Sequence, residues 1–266
     1  MNRHEYYFPN MVIEQMNIPF TVKFATKDPD DLVMKQLEMT TQKIEKKLKQ
    51  VDLDFSPFKP DSLVSKYQLG DRQPLLSSKD FQSIYAQSIL AEQMTDGVFT
   101  PYFSDKYDPT GLVKGWAIEQ SFEQYLRPLL ADPKIEGVSL NGGGDMKVAT
   151  RDDSDFQWGI GIENPESLLD VIATYYLRNG AVATSGNSKR GEHIVKKSVN
   201  KVTQVTIVSN SLVDADVWAT TGVAAENDQF LHMIKEHELS GLLIRHKSAP
   251  LNFSEGAIVN VKETPL

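Results

Sequence analysis

The 266-residue chain contains no cysteine. This absence excludes disulfides, thiolate metal sites, cysteine nucleophiles and lipid attachment through a cysteine side chain. It does not fix the cellular compartment, because exported bacterial proteins also often lack cysteine.

Long apolar runs are missing as well. No stretch approaches the roughly 18 apolar residues that a membrane-spanning helix needs. Residues 1–20 contain no apolar segment of the kind found in signal peptides. We therefore expect a cytoplasmic protein without a membrane span, and the alternative is an exported protein whose signal segment has been removed.

Positive charge is scarce, since 28 Lys and Arg residues stand against 36 Asp and Glu residues and give a net charge of −8. A general nucleic-acid binder would need a basic face, so no nucleic-acid partner is expected. A local basic pocket for a phosphorylated ligand is still compatible with this charge. The hydrophobic share of 40% and charged share of 24% are typical of a globular protein with its own core.

Apolar periodicity predicts alternating strands and helices. Strands are expected around 18–26, 138–140, 158–162 and 202–209 and at two C-terminal segments, and helices around 28–51, 81–96, 113–126, 164–180 and 230–238. The fold class is therefore α+β: a single domain, of one lobe or two, with mixed or antiparallel sheets and flanking helices. Residues 1–15 are expected to be an N-terminal extension.

Two loops join small residues to polar groups in a way that suits a ligand. Residues 108–115 place Lys114 at the start of a helix, where an anion could bind; a capped turn with a solvent-exposed lysine is the alternative. Residues 141–145 contain three successive glycines, whose backbone freedom could serve a ligand or a tight strand connection. Neither a P-loop nor a dinucleotide-binding fingerprint matches this second loop.

Two further segments carry candidate chemistry. If residues 214–221 are helical, Asp216 and Thr220 lie one turn apart and offer the oxygen ligands that Mg²⁺ prefers. The alternative is capping by the Asp and backbone bonding by the Thr. His193 could accept a proton near pH 7, although a lone histidine can equally be structural. The G-x-S-x-G motif of serine hydrolases is absent, and no HExxH or multi-histidine zinc pattern occurs.

Taken together and in this order, these segments resemble the FAD:protein FMN transferase family, also called the ApbE family. The resemblance extends over nearly the whole chain and implies a domain at residues 16–266. The segments that carry it are 16–21, 58–67, 96–99, 108–119, 141–145, 183–186, 193–194 and 215–220. Two departures stand out: Thr100 occupies a position where the family usually has Asp, and residues 101–107 replace a longer family insertion.

The resemblance implies an Mg²⁺-dependent enzyme that moves the FMN half of FAD onto a Thr or Ser hydroxyl of an acceptor flavoprotein and releases AMP. It places Met16, Phe58, Asp108 and Lys114 in contact with FAD, and Val98, Phe99 and Thr100 at a further contact with the flavin nucleotide. It assigns the metal to Asp216, Thr220 and the carbonyl of Gly111. His193 and Ile194 would lie near the flavin and the transferred phosphate, with His193 as the candidate general base and Asp216 also essential for catalysis.

Two other functions would use the same residues. If water replaces the protein hydroxyl, the chain would hydrolyse FAD to FMN and AMP. If the departures at Thr100 and at residues 101–107 remove catalysis, the chain would be a non-catalytic FAD-binding protein.

Overall fold

The computed structural model describes residues 5–186 and 202–259, which form one large sheet with helices on one face and a hairpin on the other. Its strands are β1 (Asn10–Gln15), β2 (Ile18–Ala25), β3 (Tyr102–Phe103), β4 (Lys106–Tyr107), β5 (Gly137–Gly142), β6 (Asp145–Thr150), β7 (Trp158–Asn164), β8 (Ser167–Leu177), β9 (Asn179–Gly186), β10 (Val202–Ser209), β11 (Ser240–Arg245), β12 (Leu251–Ser254) and β13 (Ala257–Val259). Its helices are α1 (Asp31–Phe55), α2 (Leu63–Gln68), α3 (Gln73–Ser77), α4 (Lys79–Met94), α5 (Thr110–Ser121), α6 (Leu212–Ala224) and α7 (Asn227–Glu236).

The main sheet has nine strands in the order β1-β2-β5-β6-β9-β10-β11-β12-β13, and each neighbouring pair is antiparallel. The strands β3 and β4 form a small separate hairpin, and so do β7 and β8. This architecture confirms the predicted α+β class with antiparallel sheets. Part of the segment expected to be an extension, residues 10–15, forms the edge strand β1, paired in register with β2.

The two faces of the sheet are covered differently because side chains alternate along each strand. On one face, Phe20 and Phe24 of β2 pack into a core with helical residues such as Trp116 of α5. On the other face, Val148 and Val182 pack against the β7–β8 hairpin in a smaller cluster. A site lined by residues from both faces of the sheet can therefore form only at an end of the sheet.

The longest helix, α1, shows how local signals set an element. Its N-cap is Asp30, whose carboxylate accepts a hydrogen bond from the Val33 amide at 2.9 Å. Leu37, Ile44 and Leu48 are buried at helical spacing, as the sequence predicts. Within the described ranges, no helix has both the length and the apolar character that crossing a membrane requires.

The helix predicted over 164–180 is wrong, because residues 167–177 form the strand β8. Asn164 is opposite Ser167 in the hairpin, and the Asn164 side chain accepts a hydrogen bond from the Glu166 amide at 3.0 Å. Asn-Pro is therefore a turn signal here and not a helix start. The β-branched and aromatic residues of the segment favour the strand as well.

Candidate functional site

The entry to α5 is a tight turn held by Asp108. Its carboxylate accepts a hydrogen bond from the Thr110 amide at 3.0 Å, and its own amide donates to the Pro101 carbonyl at 2.7 Å. The preceding residue, Tyr107, is buried, and burial raises the pKa of its phenol well above the usual range. This anchored turn fixes the start of α5, which is the part of the helix that carries Lys114.

Lys114 brings two buried carboxylates together. Its ammonium forms an ion pair with Asp145 and lies 3.7 Å from Oδ2 of Asp216. The Asp145 and Asp216 side chains are 1% and 5% exposed, whereas that of Lys114 is 24% exposed. Among the described residues, these two buried carboxylates therefore share one ammonium.

The glycine loop, residues 141–145, places Asp145 in this cluster. Gly143 and Gly144 have φ values of +63° and +104°, which side chains disfavour. The loop is closed by the Asn141 side chain, which accepts a hydrogen bond from the Gly144 amide at 3.2 Å. Asp145 then accepts a hydrogen bond from the Thr184 amide at 3.1 Å. The loop is thus a tight connection between β5 and β6 that places a carboxylate beside Lys114.

Helix α6 supplies the second carboxylate and a hydroxyl. Ser211 caps the helix, accepting a hydrogen bond from the Asp214 amide at 3.2 Å. Asp216 and Thr220 follow on one face, one turn apart, as the sequence predicts for a helix. The Thr220 Oγ1 is buried and has no hydrogen-bond partner among the described residues. A buried hydroxyl in this position is free to bind a ligand or a cation.

The helices α5 and α6 run antiparallel at close range. A Cβ atom placed on Gly115 would lie 3.2 Å from Oδ2 of Asp216 and 3.4 Å from the Leu212 carbonyl oxygen. Gly111 lies one turn before Gly115 on α5, and Thr220 lies one turn after Asp216 on α6. The three predicted metal ligands, Gly111, Asp216 and Thr220, therefore belong to one pair of helix faces.

This donor set fits Mg²⁺ by its chemistry. It offers carboxylate, hydroxyl and carbonyl oxygens, the ligands that this hard cation prefers. The buried Thr220 hydroxyl supports that fit. No group of three or more His, Cys, Asp and Glu side chains suited to a metal occurs in the part of the chain that the structure describes.

A cleft of about 480 Å³ opens beside the cluster. Its walls come from both faces of the sheet end: Lys114 and the glycine loop contribute polar groups, and β7 contributes Ile160 and Ile162. Met146 and Val182 add further apolar surface. The lining thus mixes these apolar side chains with polar ones such as Glu163, Thr184 and Gln204. Such a cleft suits a ligand that joins an aromatic ring system to polar and anionic groups.

Two predicted FAD contacts lie in turns before and after the first helix. Met16 is half-buried in the turn between β1 and β2, with a φ of +52°. Phe58 follows α1 and is 90% exposed. Neither is among the residues that line the described cleft.

The predicted contacts around residue 99 divide between the core and the surface. Phe99 is buried, and its ring lies 3.2 Å from the point where a Cβ on Gly111 would sit. Val98 is half-buried, and Thr100 is exposed, with its hydroxyl donating to the Glu92 carboxylate at 2.5 Å. Phe99 thus supports the first turn of α5, whereas Thr100 is engaged on the surface.

Two predictions cannot be placed, because His193 and Ile194 lie outside the described residues. Other residues of the site were not among the predicted ones. Asp145 belongs to the quoted glycine loop but received no role, although its position directly after three glycines was an available signal. Ile160 and Ile162 were read as an ordinary strand, since nothing local shows that their hairpin closes the cleft.

Comparison with solved structures places this arrangement in a known fold. The chain superposes on the ApbE protein of Thermotoga maritima with a TM-score of 0.72 and 18% identity, covering 94% of this chain and 97% of the other. The flavin transferase ApbE of Vibrio cholerae gives a TM-score of 0.68 with 15% identity over 94% of this chain and 98% of the other. For the apo form of the Pseudomonas stutzeri flavinyl transferase ApbE the TM-score is 0.70, with 14% identity over 95% and 97% of the two chains.

Sequence comparison is consistent with the fold. A FAD:protein FMN transferase of Klebsiella pneumoniae is 24% identical over 148 residues, which are 50% of this chain and 43% of that protein. The matched part therefore spans less than half the length of this relative. The family profile described as the ApbE family matches residues 104–243, more than half of the 266 residues, and includes Lys114, Asp145 and Asp216. With the motifs, the fold and this profile in agreement, the chain belongs to the ApbE family.

Proposed function

We propose that this protein transfers the FMN half of FAD to a Thr or Ser hydroxyl of an acceptor flavoprotein and releases AMP. The observation that carries the proposal is the contact of Lys114 with the buried carboxylates of Asp145 and Asp216, because Lys114 also lines the cleft. Membership of the ApbE family and the name of the Klebsiella relative support it.

The flavin end of FAD would occupy the apolar part of the cleft, beside Ile160 and Ile162. Its pyrophosphate would then reach the Lys114 ammonium and the first turn of α5, where the helix dipole favours an anion. Asp108 holds that turn. Met16, Phe58, Val98, Phe99, Thr100 and Ile194 remain proposed contacts by their positions in the family motifs.

Mg²⁺ would be held by the Asp216 carboxylate, the Thr220 hydroxyl and the Gly111 carbonyl. When bound, it would neutralise negative charge on the pyrophosphate. The buried position of Asp216 beside Lys114 and the buried Thr220 hydroxyl one turn further along α6 support this assignment.

The chemistry is one displacement at phosphorus. The acceptor hydroxyl oxygen forms a bond to the FMN phosphorus, the bond from that phosphorus to the bridging oxygen breaks, and AMP leaves with the bridging oxygen. The hydroxyl proton must pass to a base, for which we propose His193 on its sequence position alone. The residues of the cleft contribute mainly alignment and charge stabilisation, which are the main sources of catalysis in phosphoryl transfer.

The test is intact-mass spectrometry of a Thr-containing acceptor flavoprotein after incubation with this protein, FAD and Mg²⁺, with AMP measured in parallel. An added FMN mass that disappears on chelation of Mg²⁺ is expected. The matched control is the same acceptor with its target Thr replaced by Val, which should stay unmodified. Replacement of His193 by Ala should lower transfer while FAD binding persists; unchanged turnover would remove His193 from the mechanism.

Two outcomes would contradict the transferase. Release of AMP without any acceptor adduct, across several acceptors, would assign FAD hydrolysis. Bound FAD with no AMP at any Mg²⁺ concentration would assign a binding protein.

A further inference from the structure

A second charged pair lies at the other end of α5, away from the cleft. One carboxylate oxygen of Glu119 accepts hydrogen bonds from the start of α6: the Ser211 hydroxyl at 3.1 Å, the Leu212 amide at 3.1 Å and the Val213 amide at 3.2 Å. The first amides of a helix lack partners within it and carry partial positive charge. Glu119 thus caps α6 from a different helix.

Lys147 completes this contact from β6. Its ammonium donates to the other Glu119 oxygen at 2.6 Å and to the Asn210 carbonyl at 2.5 Å, and its side chain is only 4% exposed. Burying such a pair is costly unless the charges are well hydrogen-bonded, as they are here. The pair therefore ties three elements, α5, β6 and the start of α6, at one point.

The two ion pairs between α5 and β6 have opposite polarity. Near the cleft, Lys114 on α5 meets Asp145 on β6; at the far end, Glu119 on α5 meets Lys147 on β6. Asp145 and Lys147 are two residues apart and so point to the same side of the strand. A shift of α5 along β6 would bring like charges together, so this arrangement favours a single register.

That register also places Asp216. Glu119 contacts the amides of residues 212–213, and Gly115, one turn earlier on α5, lies against Asp216 on α6. The Glu119 contacts therefore fix the position of α6 along α5, and this position determines where the Asp216 carboxylate lies. We propose that Glu119, held by Lys147, is a positioning residue that fixes the Asp216 carboxylate for cation binding without touching FAD or the cation. This proposal rests on the proposed function.

The test measures FAD binding by flavin fluorescence in the absence of acceptor, while Mg²⁺ is titrated. For Glu119→Gln, the Mg²⁺ concentration at half-effect should rise by about tenfold or more, the usual result of losing a group that orients a metal ligand. FAD affinity without Mg²⁺ should stay within about twofold of the parent, because Glu119 lies outside the cleft. Ile44→Val, a buried change on α1, is the control for lost stability alone and should leave the Mg²⁺ midpoint unchanged.

The conservative variant Glu119→Asp keeps the carboxylate and should shift the Mg²⁺ midpoint less than Glu119→Gln does. It also serves if Glu119→Gln does not fold. An unchanged midpoint in the folded Glu119 variants, or the same shift in Ile44→Val, would overturn the positioning role while leaving the proposed function intact. A parent protein whose FAD binding ignores Mg²⁺ would instead overturn the proposed metal site, and the positioning role with it.

Discussion

The two ends of helix α5 carry similar charges but use them differently. At the Glu119 end, Lys147 pairs with Glu119 and lies 3.8 Å from Glu123, which also pairs with Arg127, so two carboxylates face two cations. The Glu119 carboxylate accepts hydrogen bonds from Ser211 and two amides as well. At the Lys114 end, one ammonium faces two carboxylates, and the nearby Thr220 hydroxyl has no hydrogen-bond partner within the described residues. A buried polar group in a folded protein is usually hydrogen-bonded, so the end that carries the Thr220 hydroxyl is where a ligand is expected.

This difference assigns the Glu119 end to holding the helices together and the Lys114 end to binding a ligand. The balanced pair has nothing further to gain from a ligand, and its loss should appear first as lost stability. The Lys114 end includes the proposed ligands Asp216 and Thr220, so its loss should appear first as lost binding or turnover. Each of the following variants tests one side of that comparison.

The largest effect is expected for Lys147→Met. This change leaves the Glu119 carboxylate facing the helix without its buried ammonium, and breaking a buried pair typically costs about 3–5 kcal/mol. Urea unfolding should show a loss of this size. Lys134→Met removes a more exposed ammonium that pairs with Asp30 and should cost far less, because solvent screens an exposed pair. Equal losses in the two variants would mean that the Glu119–Lys147 pair has no special structural role.

The next effect concerns turnover. Asp216→Asn removes one of the two charges at the cleft, and FMN transfer should fall on the order of a hundredfold, as misplaced phosphoryl-transfer groups typically cause. Asp228→Asn, an exposed carboxylate in the first turn of α7, is the control and should keep near-parent activity. Thermal unfolding with and without Mg²⁺ adds a second measurement, since a cation that binds the folded state raises its stability. Asp216→Asn should lose that Mg²⁺ response; normal Mg²⁺-dependent transfer would refute its role as a ligand.

Of the two ends of α5, only the Lys114 end could be predicted from the sequence. The spacing of Asp216 and Thr220 and the motif containing Lys114 were visible locally, and the structure places them together. The Glu119–Lys147 contact joins residues 28 positions apart in the chain. No local pattern reports such a pairing, because it depends on how a helix crosses a strand.

The fold was predictable to a similar degree. Helix α1 and strands such as β2 follow from periodicity and caps, whereas β8 was mistaken for a helix. Leu169, Val171 and Tyr176 of β8 are apolar yet exposed, so the strand lacks the polar face that would have revealed its period of two. The strand β7 was predicted, but its pairing with β8 in the hairpin beside the cleft was not, because β8 was taken for a helix.

A smaller effect is expected for Gly115→Ala at the middle of the contact between α5 and α6. The added methyl would lie 3.2 Å from Asp216 Oδ2 and 3.4 Å from the Leu212 carbonyl oxygen, tighter than a comfortable contact. Overpacking costs about 1–3 kcal/mol, against a gain of up to about 1 kcal/mol from alanine's helix propensity. Urea unfolding should show a net loss of about 1 kcal/mol, and the Mg²⁺ midpoint for FAD binding should rise. A stabilised variant with an unchanged midpoint would show that the helices have room to separate.

The smallest effect on stability separates two adjacent hydroxyls of α6. Thr221 donates to the Val217 carbonyl at 2.8 Å, whereas Thr220 has a buried Oγ1 without a partner among the described residues. Thr221→Val should therefore cost about 1 kcal/mol in urea unfolding, the usual value of one hydrogen bond, and leave Mg²⁺ dependence alone. Thr220→Val removes an unsatisfied group, so its stability without Mg²⁺ should be unchanged or slightly higher, while its Mg²⁺ midpoint rises. If the two variants behaved alike, Thr220 would be another packed helix residue and would no longer be a proposed ligand at the Lys114 end of α5.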